Sequence, residues 1–240
     1  MDNPGYVTLS RQTGLLKQMD VIANNIANIS TDGFRRESVI FSEMVDAIAV
    51  EGGSISQSDA RVRQTDFSQG VLRQTGGAFD FAIEGDGFFQ IETGDGLALT
   101  RAGGFARNTD GELVTQNGDR VLDTGGAALF FPPDAEDIAV ATDGTVSADG
   151  QPVGQLAIVT VDDTTKLTRT ANGLLSSDEG LIPVDDATVF HGFVETSNVN
   201  PVQELTRMIE VQRAYELGQS FLEAEDERIR QFIRVAGTTS

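Results

Sequence analysis

Apolar side chains recur at alternating three- and four-residue steps at both ends of the 240-residue chain. Near the amino terminus the repeat comprises Leu15, Met19, Ile22, Ile26 and Ile29. This spacing places the side chains on one stripe of a helix and is typical of a coiled-coil seam. The sequence therefore predicts an amino-terminal helix that packs against other helices.

The carboxy-terminal repeat is longer. One side of its seam is predicted to hold Met208, Tyr215, Leu222, Ile229 and Ala236, which recur every seven residues. The companion positions are predicted to be Leu205, Gln212, Gln219, Asp226 and Ile233. Polar seam positions lower stability but can specify register or partner. Two interpretations stay open: an amphipathic helix pair packed within one molecule, and helices that bundle with other copies.

Turn and capping residues set the expected ends of both helices. The first is predicted to begin near Tyr6 and to end before Gly33, a stop signal. The second is predicted to begin at Pro201, capped by Asn200, and to reach Val235. At ~1.5 Å per residue the second helix is about 50 Å long and the first roughly 35 Å. We expect the excess length to pack on another copy of the protein.

The middle of the chain changes from helical to β-like patterning. Residues 39–49 predict a short helix, residues 51–58 a flexible connector and residues 61–77 an extended tether. From residue 79 to 193, short apolar runs alternate with turns such as Asp110-Gly111 and Asp149-Gly150. The predicted fold class is α+β: an all-β central domain, either a twisted antiparallel sheet or a small barrel, inserted between coiled-coil-forming helices. The predicted segments are 1–34, 35–78, 79–193 and 194–240.

Composition and charge exclude several classes of site. The chain has no Cys and a single His, His191, so neither thiolate nor paired-imidazole metal sites are available. The formal charge is −20, with 20 acidic and 5 basic side chains between residues 80 and 191. This balance disfavours nucleic acid and anionic membrane surfaces. We expect no cofactor, no metal, no membrane insertion and no cleaved signal peptide.

A search for catalytic motifs favours a non-enzyme. The pairs Gly85-Asp86-Gly87 and Gly94-Asp95-Gly96 lack the third glycine of a dinucleotide fingerprint, and hairpin turns explain them better. Two alternatives from other classes stay open. A secreted carbohydrate-active enzyme would use the acidic central domain, and a monomeric β-rich binding module would use its turns.

Several separated motifs resemble those of the bacterial flagellar rod and hook proteins. They are DVIANNIAN at residues 20–28 with STDGFR at 30–35, AIEGDGFF at 82–89, LTRAGGF at 99–105, SNVNP at 197–201 and MIEVQRAYE at 208–216. The resemblance covers nearly the whole chain in order. Within the family, the chain length and the ending EDERI at 225–229 are most similar to proximal-rod members, with distal-rod members as the close alternative.

The resemblance implies a structural protein without enzymatic activity. It also implies export by the flagellar type III apparatus and assembly with copies of itself and other rod proteins in the basal-body rod across the periplasm. The terminal seams would then pack subunits. To the seam residues the resemblance adds Asn24, Asn25 and Asn28 on the first helix and Arg213 on the last as expected contact residues.

Overall fold

A computed structural model describes residues 3–47, 54–135, 137–170, 173–184 and 186–237. These residues form two compact units. The helical unit comprises the described residues of Met1–Ala27, Glu37–Asp66 and Val199–Ser240, and the central unit comprises those of Asn28–Arg36 and Phe67–Asn198. The predicted four-part division at 34/35, 78/79 and 193/194 stays a prediction.

Two long helices, α1 (Asn3–Ala27) and α2 (Pro201–Gly237), belong to the helical unit. The predicted cap of α2 is confirmed, because Asn200 Oδ1 accepts the backbone N–H groups of Val202 (3.1 Å) and Gln203 (3.2 Å). Among the described residues, neither helix combines the length and apolar character of a membrane span.

Helix α1 ends before Gly33, as predicted, but the predicted place of Ile29 on the helix is wrong. The helix ends at Ala27, so Ile29 lies in a turn beyond it. In that turn Asn28 Oδ1 accepts the Thr31 hydroxyl at 3.1 Å, and Asn28 O accepts the Thr31 N–H at 3.2 Å. Polar side chains of this kind compete with the backbone hydrogen bonds of a helix. This competition explains why α1 ends several residues before Gly33.

The predicted short helix over residues 39–49 is wrong for its described part, residues 39–47. Residues Glu37–Ala47 form strand β1, which pairs antiparallel with β2 (Ser54–Thr65) from Glu37↔Thr65 to Ala47↔Ser54. β2 replaces most of the predicted connector and the start of the tether, while residues 48–53 lie outside the described residues. Val39, Ile40 and Phe41 are good strand formers, and a long pairing partner overrides the weak helical periodicity.

Sixteen strands of the central unit follow, within the described residues. They are β3 (Leu72–Gln74), β4 (Phe81–Glu84), β5 (Phe88–Thr93), β6 (Gly96–Thr100), β7 (Ala106–Arg107), β8 (Leu113–Val114), β9 (Arg120–Val121), β10 (Ile138–Val140), β11 (Thr145–Ala148), β12 (Gln151–Gln155), β13 (Ile158–Thr160), β14 (Thr168–Arg169), β15 (Leu175–Ser176), β16 (Ile182–Pro183), β17 (Thr188–His191) and β18 (Phe193–Glu195). One turn of 3₁₀ helix, Thr164–Lys166, precedes β14.

The strand pairs of the central unit are antiparallel, as the sequence predicts. Nine of the described strands share one sheet, in which β14, β15, β6, β5, β9, β8 and β7 are successive neighbours and β13 links β5 to β16. Phe81, Phe89 and Phe131 are fully buried in the largest apolar core. The predicted hairpin turn at Asp149-Gly150 is confirmed between β11 and β12, with φ of 51° and 75° at the two residues.

Candidate assembly site

The interior of the helix pair is apolar and small. Leu15 and Ile22 of α1 and Val211 of α2 are buried together. Five partly buried side chains pack around them: Met19, Ile26, Met208, Ala214 and Tyr215. Burying one such aliphatic side chain contributes about 1.5–3 kcal/mol. The structure thus brings together four of the five predicted seam residues of the first helix, all except Ile29, and the predicted pair Met208 and Tyr215.

The predicted companion positions on α2 do not face α1. The inward stripe is one residue earlier and runs through Glu204, Met208, Val211, Tyr215, Gly218 and Leu222 at alternating four- and three-residue steps. Exposed positions instead hold Leu205, Gln212, Gln219, Asp226 and Ile233. Two adjacent stripes of α2 have similar periodicity. The sequence pattern did not select the inward stripe because that stripe contains a charged residue and a glycine.

One of the three predicted asparagines is fully buried. Asn25 Oδ1 accepts the backbone N–H of Glu37 at 2.9 Å, and its Nδ2 donates to Glu37 O at 2.8 Å and to Glu204 Oε2 at 3.2 Å. Asn25 thus ties α1 to the start of β1 and to the first turn of α2. By contrast Asn24 is exposed on α1 and Asn28 is half-buried beyond its end.

The outer surface of α2 carries large apolar side chains. They are Val202, Leu205, Ile209, Leu217, Phe221, Ile229 and Ile233, all between 48% and 72% exposed. Arg213 is exposed beside them. Exposed apolar surface of this extent along one element is typical of a protein interaction site.

A buried ion cluster forms in the central unit around Glu195 of β18. Its Oε1 lies 2.7 Å from Arg35 Nη1 and its Oε2 lies 3.3 Å from Arg101 Nη1. Oε1 also accepts the backbone N–H of Gly70 at 2.8 Å. Burial lowers the pKa of the Arg101 guanidinium to about 10, opposed chiefly by Glu195, so the side chain stays charged at neutral pH.

The motif around Gly33 and Phe34 is held against the same cluster. The Gly33 N–H donates to Glu195 O at 2.7 Å, and a Cβ at Gly33 would lie 2.2 Å from Ala102 N. The Arg169 guanidinium lies 4.5 Å above the Phe34 ring, and its Nη2 donates to Arg35 O at 2.8 Å. The glycine is required here because its φ is 70° and the approach is close.

Sequence reasoning missed Glu195, Glu204 and Gln12 as buried polar residues. All three are less than a tenth exposed. A signal did exist for Glu195: it follows the apolar pair Phe193-Val194, and its partners Arg35 and Arg101 both lie in the quoted motifs. Charges inside otherwise apolar motifs indicate buried pairs, because burial of an unpaired charge is costly.

Two acidic side chains of the central unit, Asp143 and Asp163, accept hydrogen bonds within turns. Backbone and side-chain hydrogen bonds from Thr145 lower the pKa of Asp143, and hydrogen bonds from the side chain and backbone of Thr165 lower that of Asp163. In the part of the chain that the structure describes, no three His, Asp or Glu side chains gather as a metal site would require. The geometry is that of a structural protein with an assembly surface.

Comparison with known proteins agrees with this class. Family models match three segments: "Flagella basal body rod protein" over residues 6–35, "Flagellar hook protein FlgE/F/G D1 domain" over 82–148, and "Flagellar basal body rod FlgEFG protein C-terminal" over 191–235. The chain is 40% identical to the flagellar basal-body rod protein FlgF of Caulobacter vibrioides over 222 residues, 90% of each chain.

Two further relatives show the same pattern. FlgF of Mesorhizobium japonicum is 38% identical over 219 residues, again 90% of each chain. FlgG of Bacillus subtilis is 35% identical over 257 residues, 96% of this chain and 97% of its own. The chain therefore belongs to the family of flagellar basal-body rod and hook proteins, which are structural proteins and not enzymes.

Proposed function

We propose that the chain is a structural subunit of the bacterial flagellar basal-body rod and polymerises through its helical unit. The family membership supports a rod subunit. The observation that carries the mode of assembly is the exposed apolar surface of α2, where Val202 is 72% and Leu217 70% exposed. Contact with neighbouring subunits removes this surface from water. Its partners are copies of itself and other rod proteins.

In our proposal the exposed seam residues make these contacts. Leu205, Gln212, Arg213, Gln219, Ile229 and Ile233 reach neighbouring subunits, together with the exposed Asn24. The half-buried Asn28 and Ile29 follow α1 and belong to the central unit. Asn25, by contrast, acts within the subunit by joining α1, β1 and α2.

In the proposed rod, the central unit forms a body whose segments are joined by buried contacts. Glu195 and its two arginines join the loop before β1, the segment after β2 and the strand that precedes α2. These are the places where the chain leaves and re-enters the central unit. Asn198 adds to them, because its Oδ1 accepts the Arg36 N–H at 2.6 Å and its Nδ2 donates to Ser68 O at 2.9 Å.

We assign the chain to the proximal part of the rod, with the distal rod as the alternative. Two relatives named FlgF are 38% and 40% identical to the chain, and the FlgG of Bacillus subtilis is 35% identical. Export through the flagellar type III apparatus and a location in the periplasmic rod complete the proposal.

A charge on the exposed face of α2 tests this mode of assembly. We expect Leu205→Asp to lower the amount of protein in isolated basal bodies at least tenfold, because an aspartate resists burial against a neighbour. Quantitative immunoblotting of basal bodies against whole cells measures the loss. Leu205 is 54% exposed, so the substitution leaves the interior of the helix pair intact.

Leu97→Asp is the matched control, since Leu97 is 56% exposed in the central unit. It should enter basal bodies at the wild-type level. The opposite pattern, with Leu97→Asp excluded and Leu205→Asp incorporated, would place the subunit contacts in the central unit and refute assembly through the helices.

A further inference from the structure

A groove opens along one side of the helix pair. Leu15 of α1 and Ala214, Leu217 and Phe221 of α2 give it apolar walls, and its volume is about 410 Å³. The lining residues span two turns of each helix, from Thr8 to Leu15 and from Ala214 to Phe221. The groove therefore has the length of a two-turn helical segment, about 10 Å at 1.5 Å per residue.

A buried acceptor in the groove lacks a donor. Gln12 lines the groove and is 6% exposed. Its Nε2 donates to Tyr215 O at 2.9 Å, but no donor within the described chain reaches its Oε1. Buried acceptors are normally paired, so this oxygen indicates a missing donor from outside the subunit.

The two helices of the pair differ in length. Asn25 contacts Glu204 and Gln12 contacts Tyr215, so the two helices run antiparallel. At an equal rise per residue, the first turn of α1 lies opposite about residue 226 of α2. The last three turns of α2 therefore extend past α1. Ile229 continues the inward stripe there and Ile233 lies one turn further along, yet they are 50% and 64% exposed.

We propose that the groove of one subunit receives the overhanging last three turns of α2 from a second copy. Ile229 and Ile233 lie one turn apart and match the two-turn apolar groove. Arg230 flanks them, and its guanidinium keeps donors for Gln12 Oε1 after pairing with Asp226. Arg11 lines the groove, so its positive charge complements the acidic residues 223 and 225–227 that precede the isoleucines.

The contact is heterologous, because the groove and the overhang are different surfaces of the same molecule. A heterologous contact repeats from copy to copy and produces a ring or an open helical filament. A rod requires the open filament. This inference rests on the proposed function and specifies which two surfaces of the helical unit join.

Disulfide cross-linking tests the contact, because the natural chain has no Cys. Leu217 and Ile233 are about 24 Å apart along one straight helix, far beyond the reach of a disulfide. Any disulfide in the double variant Leu217→Cys/Ile233→Cys therefore joins two chains. With this variant as the cell's sole copy, mild oxidation of isolated basal bodies should give a ladder of multimers on a non-reducing gel.

The control is Val202→Cys/Ile233→Cys, because Val202 is exposed on α2 outside the groove. Its ladder should be at least tenfold weaker. An equal ladder from the control, or none from the test variant in assembled basal bodies, overturns the groove contact and leaves the rod function standing. If the disulfide joins the variant to a protein of different mass, the groove is occupied by that protein and the proposal of a second copy is overturned.

Two further outcomes separate the claims. If even the wild-type protein is absent from basal bodies, the proposed function itself fails. If only the test variant is excluded, Thr8→Cys/Arg230→Cys places the cysteines at less apolar positions of the same contact. Absence of a ladder from that second variant, whether or not it assembles, overturns the inference.

Discussion

At the scale of single residues, Glu195 contacts three separate segments of the central unit. Arg35, Gly70 and Arg101 come from a loop, an extended segment and the end of the largest sheet. All three bind the Glu195 carboxylate. Burial of three charges is costly, so the cluster adds specificity more than net stability. Removal of one member is expensive because the other charges stay buried without compensation.

Glu195→Gln keeps the shape of the side chain and removes its charge. We expect a loss of about 3–5 kcal/mol in the free energy of unfolding of the central unit, because two buried guanidinium groups lose their counter-ion. Urea unfolding followed by circular dichroism measures it. Glu92→Gln is the control: its ion pair with Arg120 is nearly half exposed, so a loss of about 0–1 kcal/mol is expected. Equal losses would refute the special role of Glu195.

Asn25 has the corresponding role in the helical unit. In Asn25→Leu the backbone N–H and C=O of Glu37 lose the bonds that Asn25 provides. Each buried polar group left unpaired costs about 1–3 kcal/mol. Hydrogen exchange at the Glu37 amide should accelerate accordingly. For Asp20→Leu, at an exposed position of α1, we expect a change within about 0.5 kcal/mol. A similar effect from both substitutions would contradict the account.

At the scale of elements, the sequence predicted caps and turns, which depend on neighbouring residues. It did not predict which strands pair. The Asn200 cap and the Asp149-Gly150 turn depend on neighbours in the chain, so both predictions hold. Ile29 was wrongly placed on α1 because Asn28 and Thr31 form a turn well before Gly33. β1 was missed because it pairs with β2, and the local sequence pattern of residues 39–49 does not show that pairing.

The candidate site shows the same division. Leu15 and Ile22 could be identified from periodicity alone. The companion stripe could not, since the choice between Leu205 and Glu204 as the inward position depends on where α1 lies. Glu204 is buried because Asn25 provides a hydrogen bond from another helix, and no local pattern shows that contact.

The cap of α2 provides a test at this scale. Asn200→Ala should cost about 1 kcal/mol, because the N–H groups of Val202 and Gln203 lose their acceptor. Faster hydrogen exchange confined to the first turn of α2 is the expected readout. Asn200→Asp retains the acceptor and should keep the exchange rates slow. Fast exchange in Asn200→Asp as well would show that the side-chain oxygen is not what protects the turn.

At the scale of the whole molecule, the chain passes repeatedly between two units of different composition. The central unit has its own core, whereas the helical unit assembles α1, the β1–β2 hairpin and α2 from distant parts of the chain. The helical unit buries few aliphatic side chains and leaves many exposed. It gains the remaining burial from neighbouring subunits in the proposed rod.

The boundaries of the central unit give a testable difference between two fragments. Residues 67–198 include β3, Glu195 and Asn198, all of which the predicted segment 79–193 omits. We expect the longer fragment to unfold at a higher urea concentration, because β18 keeps its partner β3 and Arg101 keeps its carboxylate. Identical unfolding midpoints would show that these contacts add nothing to the stability of the unit.

The most direct test of the rod assignment is to locate the protein in isolated basal bodies. Antibodies raised against residues 79–193 would be applied to purified basal bodies and viewed by electron microscopy. The account predicts label on the rod, concentrated in its proximal part, and loss of that label in cells expressing Leu205→Asp. Basal bodies without label, together with a purified full-length chain that sediments as a monomer at every concentration, would contradict it.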